Sequence, residues 1–123
     1  MSDTRRILIV EDHDDTRDML RIALENEGFE VVTAPNGVKL LPLIRENVPD
    51  LILLDIMMPW VDGFELARAI KDNDDLRNIP IFFITAKINP EDIETGFRVG
   101  AAEYIQKPID LDELFEKIEQ HLA

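Results

Sequence analysis

Asp50-Leu-Ile-Leu-Leu-Asp55 is the stretch on which the fold turns. Leu51–Leu54 is an unbroken apolar run with the length of a buried strand. It ends directly in a carboxylate, Asp55. Working outward, Ile7–Val10, Phe29–Thr33, Ile79–Ile84 and Tyr104–Ile105 have the same character: short, apolar, and rich in β-branched or aromatic residues. Amphipathic segments lie between them. Met19, Leu20, Ala23 and Leu24 form one apolar stripe, and Leu66, Ala67 and Ile70 another. Leu111, Leu114, Phe115, Ile118 and Leu122 form the clearest, at helical spacing.

The punctuation agrees. Gly28 suits the position just past the first helix. Asn36 can cap a second helix spanning Asn36–Glu46, although Pro42 inside it should kink it or delay its start. Asn89-Pro90 can cap and open the fourth helix. Asp110, with Glu113 three residues on, can cap the fifth. Asp72-Asn-Asp-Asp75 reads as a solvated loop before the fourth strand. The order is β-α-β-α-β-α-β-α-β-α, which implies an α/β domain with a parallel sheet covered by helices on both faces. Five strands suit the flavodoxin-like doubly wound order 2-1-3-4-5, an order taken from known sheets of this size rather than derived from these residues.

Composition narrows the function. The 123 residues, 46% of them hydrophobic, suit one domain over 1–123. With no cysteine there is no disulfide, thiolate metal site or cysteine nucleophile. The N-terminal apolar run is too short for a signal peptide or a bilayer span, so the expectation is a cytoplasmic protein with no membrane partner. A formal charge of −13 repels phosphate backbones, so direct nucleic-acid binding is not expected.

In a doubly wound sheet, ligands sit at the carboxyl ends of the strands, beside the switch point. Glu11-Asp12 follows the first strand, Asp55 the third, Thr85-Ala86 the fourth and Lys107-Pro108 the fifth. Three carboxylates converging there should raise one another's pKa, and a hard divalent cation with oxygen ligands relieves them. Mg²⁺ fits, with Mn²⁺ able to replace it. Asp55 is then a nucleophile toward phosphorus, while Lys107 and Thr85 stabilise phosphoryl oxygens.

The residues carry a family resemblance. Ile7-Leu-Ile-Val-Glu-Asp12, Asp50-Leu-Ile-Leu-Leu-Asp-Ile-Met-Met-Pro59, Asp62-Gly63, Ile84-Thr-Ala86, Gly100-Ala101 and Tyr104-Ile-Gln-Lys-Pro108 stand in order and at family spacing. Together they resemble a two-component response-regulator receiver domain over about Arg5 to Leu122. The resemblance implies a signalling switch rather than an enzyme, one that assists its own phosphorylation and dephosphorylation. Asp55 would be the phospho-acceptor, supplied by a sensor histidine kinase or a histidine phosphotransfer protein. Asp12 would bind the metal directly, Glu11 through water, and Met57 through its backbone carbonyl. Lys107-Pro108 would be a cis peptide. Thr85 and Tyr104 would be a switch pair that remodels the face of the fourth helix, fifth strand and fifth helix for a downstream target or output domain. Met57 and Lys87 would flank attacking water and tune the phosphoryl lifetime. Trp60, in the loop after Pro59, would be a partner contact or a lid on that loop.

Other readings fit less well. A haloacid-dehalogenase-like phosphatase needs a second Asp where Met57 stands. A flavin carrier needs a Ser/Thr/Gly-rich loop where Glu11-Asp-His-Asp-Asp15 stands. A degenerate receiver, binding partners without phosphorylation, would not need the full set of side chains. His13, beside the acidic pair, has no second His near it in sequence and is not read as a metal ligand or phosphohistidine, and His121 is read as a solvated helix end. Arg98, Glu103 and Lys117 are too scattered for a clear dimer pattern. The expectation is therefore a monomer, or a homodimer that depends on phosphorylation.

Overall fold

The computed structural model describes residues 4–37, 40–57, 62–86 and 89–122. The strands are β1 (Arg6–Val10), β2 (Glu30–Ala34), β3 (Leu51–Asp55), β4 (Ile81–Thr85) and β5 (Glu103–Gln106). The helices are α1 (Asp14–Asn26), α2 (Leu40–Glu46), α3 (Gly63–Asp72), α4 (Pro90–Arg98) and α5 (Leu111–Leu122). The sheet order is β2-β1-β3-β4-β5, parallel throughout. Lys107, Trp60, Met58 and Pro59 divide here: Lys107 is described, while the other three, like Lys87, lie outside the described residues.

The period-2 alternation of side chains splits the core into two layers. Leu8, Val10, Ile52, Leu54, Ile81 and Phe83 pack on the side of α2 and α3. Ile7, Ile9, Leu51, Leu53, Phe82 and Ile84 pack with Leu20 and Leu24 of α1 and with Leu114 and Ile118 of α5. Both faces of β1, β3 and β4 are thus covered, which explains why those strands read as continuous apolar runs. Burial of each such side chain stabilises the fold by roughly 1.5–3 kcal/mol before entropy is counted.

The expected caps are present at three helix ends. Gly28 follows α1 with φ 96°. Asn89 accepts from Asp92 N at 2.8 Å, with Pro90 at the start of α4. Asp110 accepts from Glu113 N at 3.2 Å, while the Glu113 carboxylate pairs with Lys117 at 3.5 Å.

Several boundaries differ from the sequence reading. The second helix is described from Leu40, so Asn36 stands ahead of it and Pro42 falls in the first turn, where a proline N–H is not missed. Phe29 is not strand: its N–H turns back to Leu24 O at 3.1 Å, completing the exit from α1. Ile79 closes a turn onto Leu76 O at 3.1 Å, so β4 starts at Ile81. β5 extends one residue beyond Tyr104–Ile105 at each end, because ladder pairing includes Glu103 and Gln106.

Candidate functional site

β1 and β3 are neighbours, and the residues ending them meet at the carboxyl edge of the sheet. Glu11 continues β1 by one residue, its N–H bonded to Ala34 O at 3.1 Å, and its side chain is fully buried. Arg17, one turn into α1, holds the Glu11 carbonyl through Nη1 at 3.0 Å. Asp55, 1% exposed, ends β3 and accepts from Met57 N–H at 2.8 Å. Lys107 reaches in from the β5 side, its own N–H bonded to Thr85 O at 2.9 Å. Its Nζ lies 2.6 Å from Glu11 Oε1 and 3.3 Å from Asp55 Oδ2. The Glu11 contact is an ion pair by distance, at an angle outside hydrogen-bond geometry. The Lys107-Pro108 peptide is cis.

Two nearly inaccessible carboxylates share one ammonium group, and this shapes the pKa of all three groups. Burial, followed by the hydrogen bond with Asp55, pushes Glu11 up to about 8. Burial alone would raise Asp55 too. The bonds from Glu11 and from Met57 N–H, with the Lys107 charge, instead hold it below the ordinary carboxylate value. Burial also opposes the Lys107 charge, but Glu11 and Asp55 outweigh it and raise its pKa. Burial thus biases Glu11 toward its neutral form, while the donors around Asp55 favour its ionised form.

Asp12 Oδ1 is buried with no hydrogen-bond partner among the described residues. Its nearest cationic candidate is His13 Nδ1 at 3.4 Å. Glu11, Asp12, His13 and Asp55 each offer a ligand atom within 4.8 Å of the others, so this is an acidic group that could hold a metal ion. An orphaned carboxylate oxygen beside two further carboxylates is a hard donor set that fits Mg²⁺. His13 was set aside in the sequence as lacking a histidine neighbour. The fold nonetheless puts it beside the acids, with a side chain 71% exposed.

Of the remaining sequence candidates, Thr85 is buried at the end of β4, next to the Ile84 that pairs with Asp55. Met57 follows the site with its side chain 53% exposed. Tyr104 is not at the acid corner; its ring lies against α4. Arg98 pairs with Glu94 at 2.6 Å and Lys117 with Glu103 at 3.2 Å, so those charges are engaged within the chain.

Asp62-Gly63 carries a structural role that its place in the motif does not state. Asp62 caps α3, accepting from Phe64 N at 2.8 Å and Glu65 N at 3.4 Å. A Cβ on Gly63 would meet Ile56 Cα at 2.6 Å, so only glycine lets α3 start hard against the residue after Asp55. The cap was legible as an Asp before an apolar stripe; the close approach was not.

A five-stranded parallel sheet in this order, with buried acids and Lys107 at the switch point, defines a flavodoxin-like doubly wound α/β fold. The chain belongs to the response regulator receiver domain family, whose model matches residues 7–119. It is 38% identical over 119 residues to the polar-differentiation response regulator DivK of Brucella anthropi, covering 97% of each chain. Among solved structures it resembles a putative response regulator from Chloroflexus aurantiacus, with TM-score 0.91, 32% identity and 98% of each chain covered. It also resembles the Vibrio cholerae chemotaxis protein CheY4, with TM-score 0.90, 29% identity, and 96% of this chain and 98% of that one covered. The chain is thus a response-regulator receiver of two-component signalling. Among the described residues no helix is long and apolar enough to cross a membrane.

Proposed function

We propose that residues 1–123 act as one receiver domain in which Asp55 is the phospho-acceptor of a phosphorelay. The observation that carries this reading is the buried Asp55 carboxylate held 3.3 Å from Lys107 Nζ at the carboxyl edge of the sheet, beside Glu11 and Asp12. A phosphohistidine of a sensor kinase or phosphotransfer protein is the donor. The phosphorus–nitrogen bond breaks, an Asp55 oxygen–phosphorus bond forms, and histidine leaves neutral after taking up a proton.

Asp12, Asp55 and the Met57 carbonyl would hold Mg²⁺ (or Mn²⁺), with Glu11 acting through water. The cation supplies charge neutralisation at the phosphoryl oxygens. Lys107 neutralises a further oxygen, and Thr85 donates its hydroxyl to another. Met57 and Lys87 tune how long the phosphoryl group survives. Thr85 and Tyr104 relay the change to the face of α4, β5 and α5, where a target or output domain binds. The protein works in the cytoplasm, as a monomer or a phosphorylation-dependent homodimer.

Incubation with Mg²⁺ and acetyl phosphate should add one phosphoryl mass to the intact chain, and Asp55→Asn should add none. A wild-type chain that stays unmodified while binding Mg²⁺ would count against phospho-acceptance and favour an interaction module that works without it.

A further inference from the structure

Tyr104 is the single tyrosine of the chain. Its ring stands edge-on to Phe83 of β4 at 5.4 Å and to Phe97 of α4 at 5.5 Å. Its hydroxyl donates to Asp92 O in the first turn of α4 at 2.5 Å. Directly beneath the ring is Gly96, buried within α4. A Cβ there would lie 2.5 Å from Tyr104 Cζ and 2.6 Å from Cε2, closer than real Cβ atoms approach. A phenol ring is rigid, and this one is flanked by Phe83 and Phe97, so it could not yield by small torsions. It would have to leave.

Glycine inside a helix is otherwise inferior to alanine, because it has more backbone freedom to lose. Gly96 therefore works against helix propensity, and what it provides in return is the seat for Tyr104. The β4–β5 register pairs Phe83 with Tyr104 and Thr85 with Gln106, which puts Thr85 and Tyr104 on one face of the sheet, one diagonal step apart. A ring seated on α4 cannot also fill space beside Thr85.

We infer that Gly96 is a positioning residue: it seats Tyr104 on α4 and so sets the balance between that place and the one beside Thr85. The regulatory half rests on the proposed Thr85–Tyr104 switch. The seat itself rests only on the packing. Whatever weakens the seated state raises the population of the other, and a ligand that prefers the other state then binds more tightly by the same factor.

The test uses the full chain with 3-fluorotyrosine, which gives one ¹⁹F resonance, and Mg²⁺ with beryllofluoride as the probe. Gly96→Ala should move that resonance toward the position the wild type takes on beryllofluoride binding, and tighten that binding about threefold or more. It should also lower the urea midpoint in the wild-type background but raise it in a Tyr104→Ala background, where helix propensity alone remains. A midpoint that rises in both backgrounds, or a resonance unmoved by Gly96→Ala, overturns the seat. Unchanged or weaker beryllofluoride binding overturns its regulatory consequence. A wild-type resonance that ignores bound beryllofluoride overturns the switch reading itself, and the regulatory half with it, whatever the midpoints do.

Discussion

The acid corner and the aromatic seat lie on the same sheet, yet they are built from opposite materials. At the corner, Glu11 and Asp55 are both buried and held by one lysine, so the arrangement depends on where a proton sits. At the seat, Phe83, Phe97 and Tyr104 meet edge to face over a glycine, so that arrangement depends on shape. Charge tolerates small displacements and responds to pH and ions. Close packing ignores both and answers to single methyl groups. In the proposed switch, the first region senses a charge and the second converts it into a change of fit.

The comparison can be broken most forcefully at its packing side. Phe83→Ala removes a fully buried ring that also touches Phe64 at 5.5 Å. Denaturant unfolding should show a loss of about 3–5 kcal/mol. A loss near zero would mean the aromatic layer is not close-packed. At the corner, Lys107→Ala should destabilise by only about 2 kcal/mol, below the roughly 3–5 kcal/mol typical when a buried pair is broken, because burial biases Glu11 toward its neutral form. The same variant should accept phosphoryl groups from acetyl phosphate more slowly. Equal rates would remove Lys107 from the site.

The corner should also respond to pH where the seat does not. Glu11 has its pKa raised from 4.5 to about 8 in the fold, so between those values the folded chain keeps a proton that the unfolded chain releases. Stability should therefore fall as pH rises through that window, by roughly 2–3 kcal/mol between pH 6 and 8.5 in metal-free buffer. Added Mg²⁺ should flatten the dependence, and urea midpoints across pH with and without the ion decide it. The smallest effect expected is at Asp62: replacing this cap by Ala should remove about 1 kcal/mol, read as a drop in melting temperature. An unchanged melting temperature would show that Gly63 packing alone fixes the start of α3.

The two regions also differ in how far the sequence exposes them. Glu11, Asp12, Asp55 and Lys107 are legible because topology alone gathers residues that follow parallel strands onto one edge. Their division of labour is less so. Lys107 sits closer to Glu11 than to Asp55, and the position of the shared proton depends on burial, which no spacing reveals. Strand existence is legible from apolar runs, whereas Phe29 and Ile79 look like strand but serve turns. The seat was invisible. Gly96 carries no local signal, and nothing in the spacing from Gly96 to Tyr104 says that a missing methyl makes room for a ring.

β1 lies in the middle of the sheet, between β2 and β3, and this has a bearing on synthesis. Its outer neighbour β2 follows soon after, but Arg6 meets its partner Asp50 across a separation of 44 residues. At about 5–20 residues per second, a ribosome needs several seconds to deliver β3 after β1 has formed. Until β3 is made, the edge of Ile7–Val10 that faces it stays unpaired. The inner strand therefore completes its ladder only through a contact of high sequence separation, the kind that slows folding because loop closure comes before the reward.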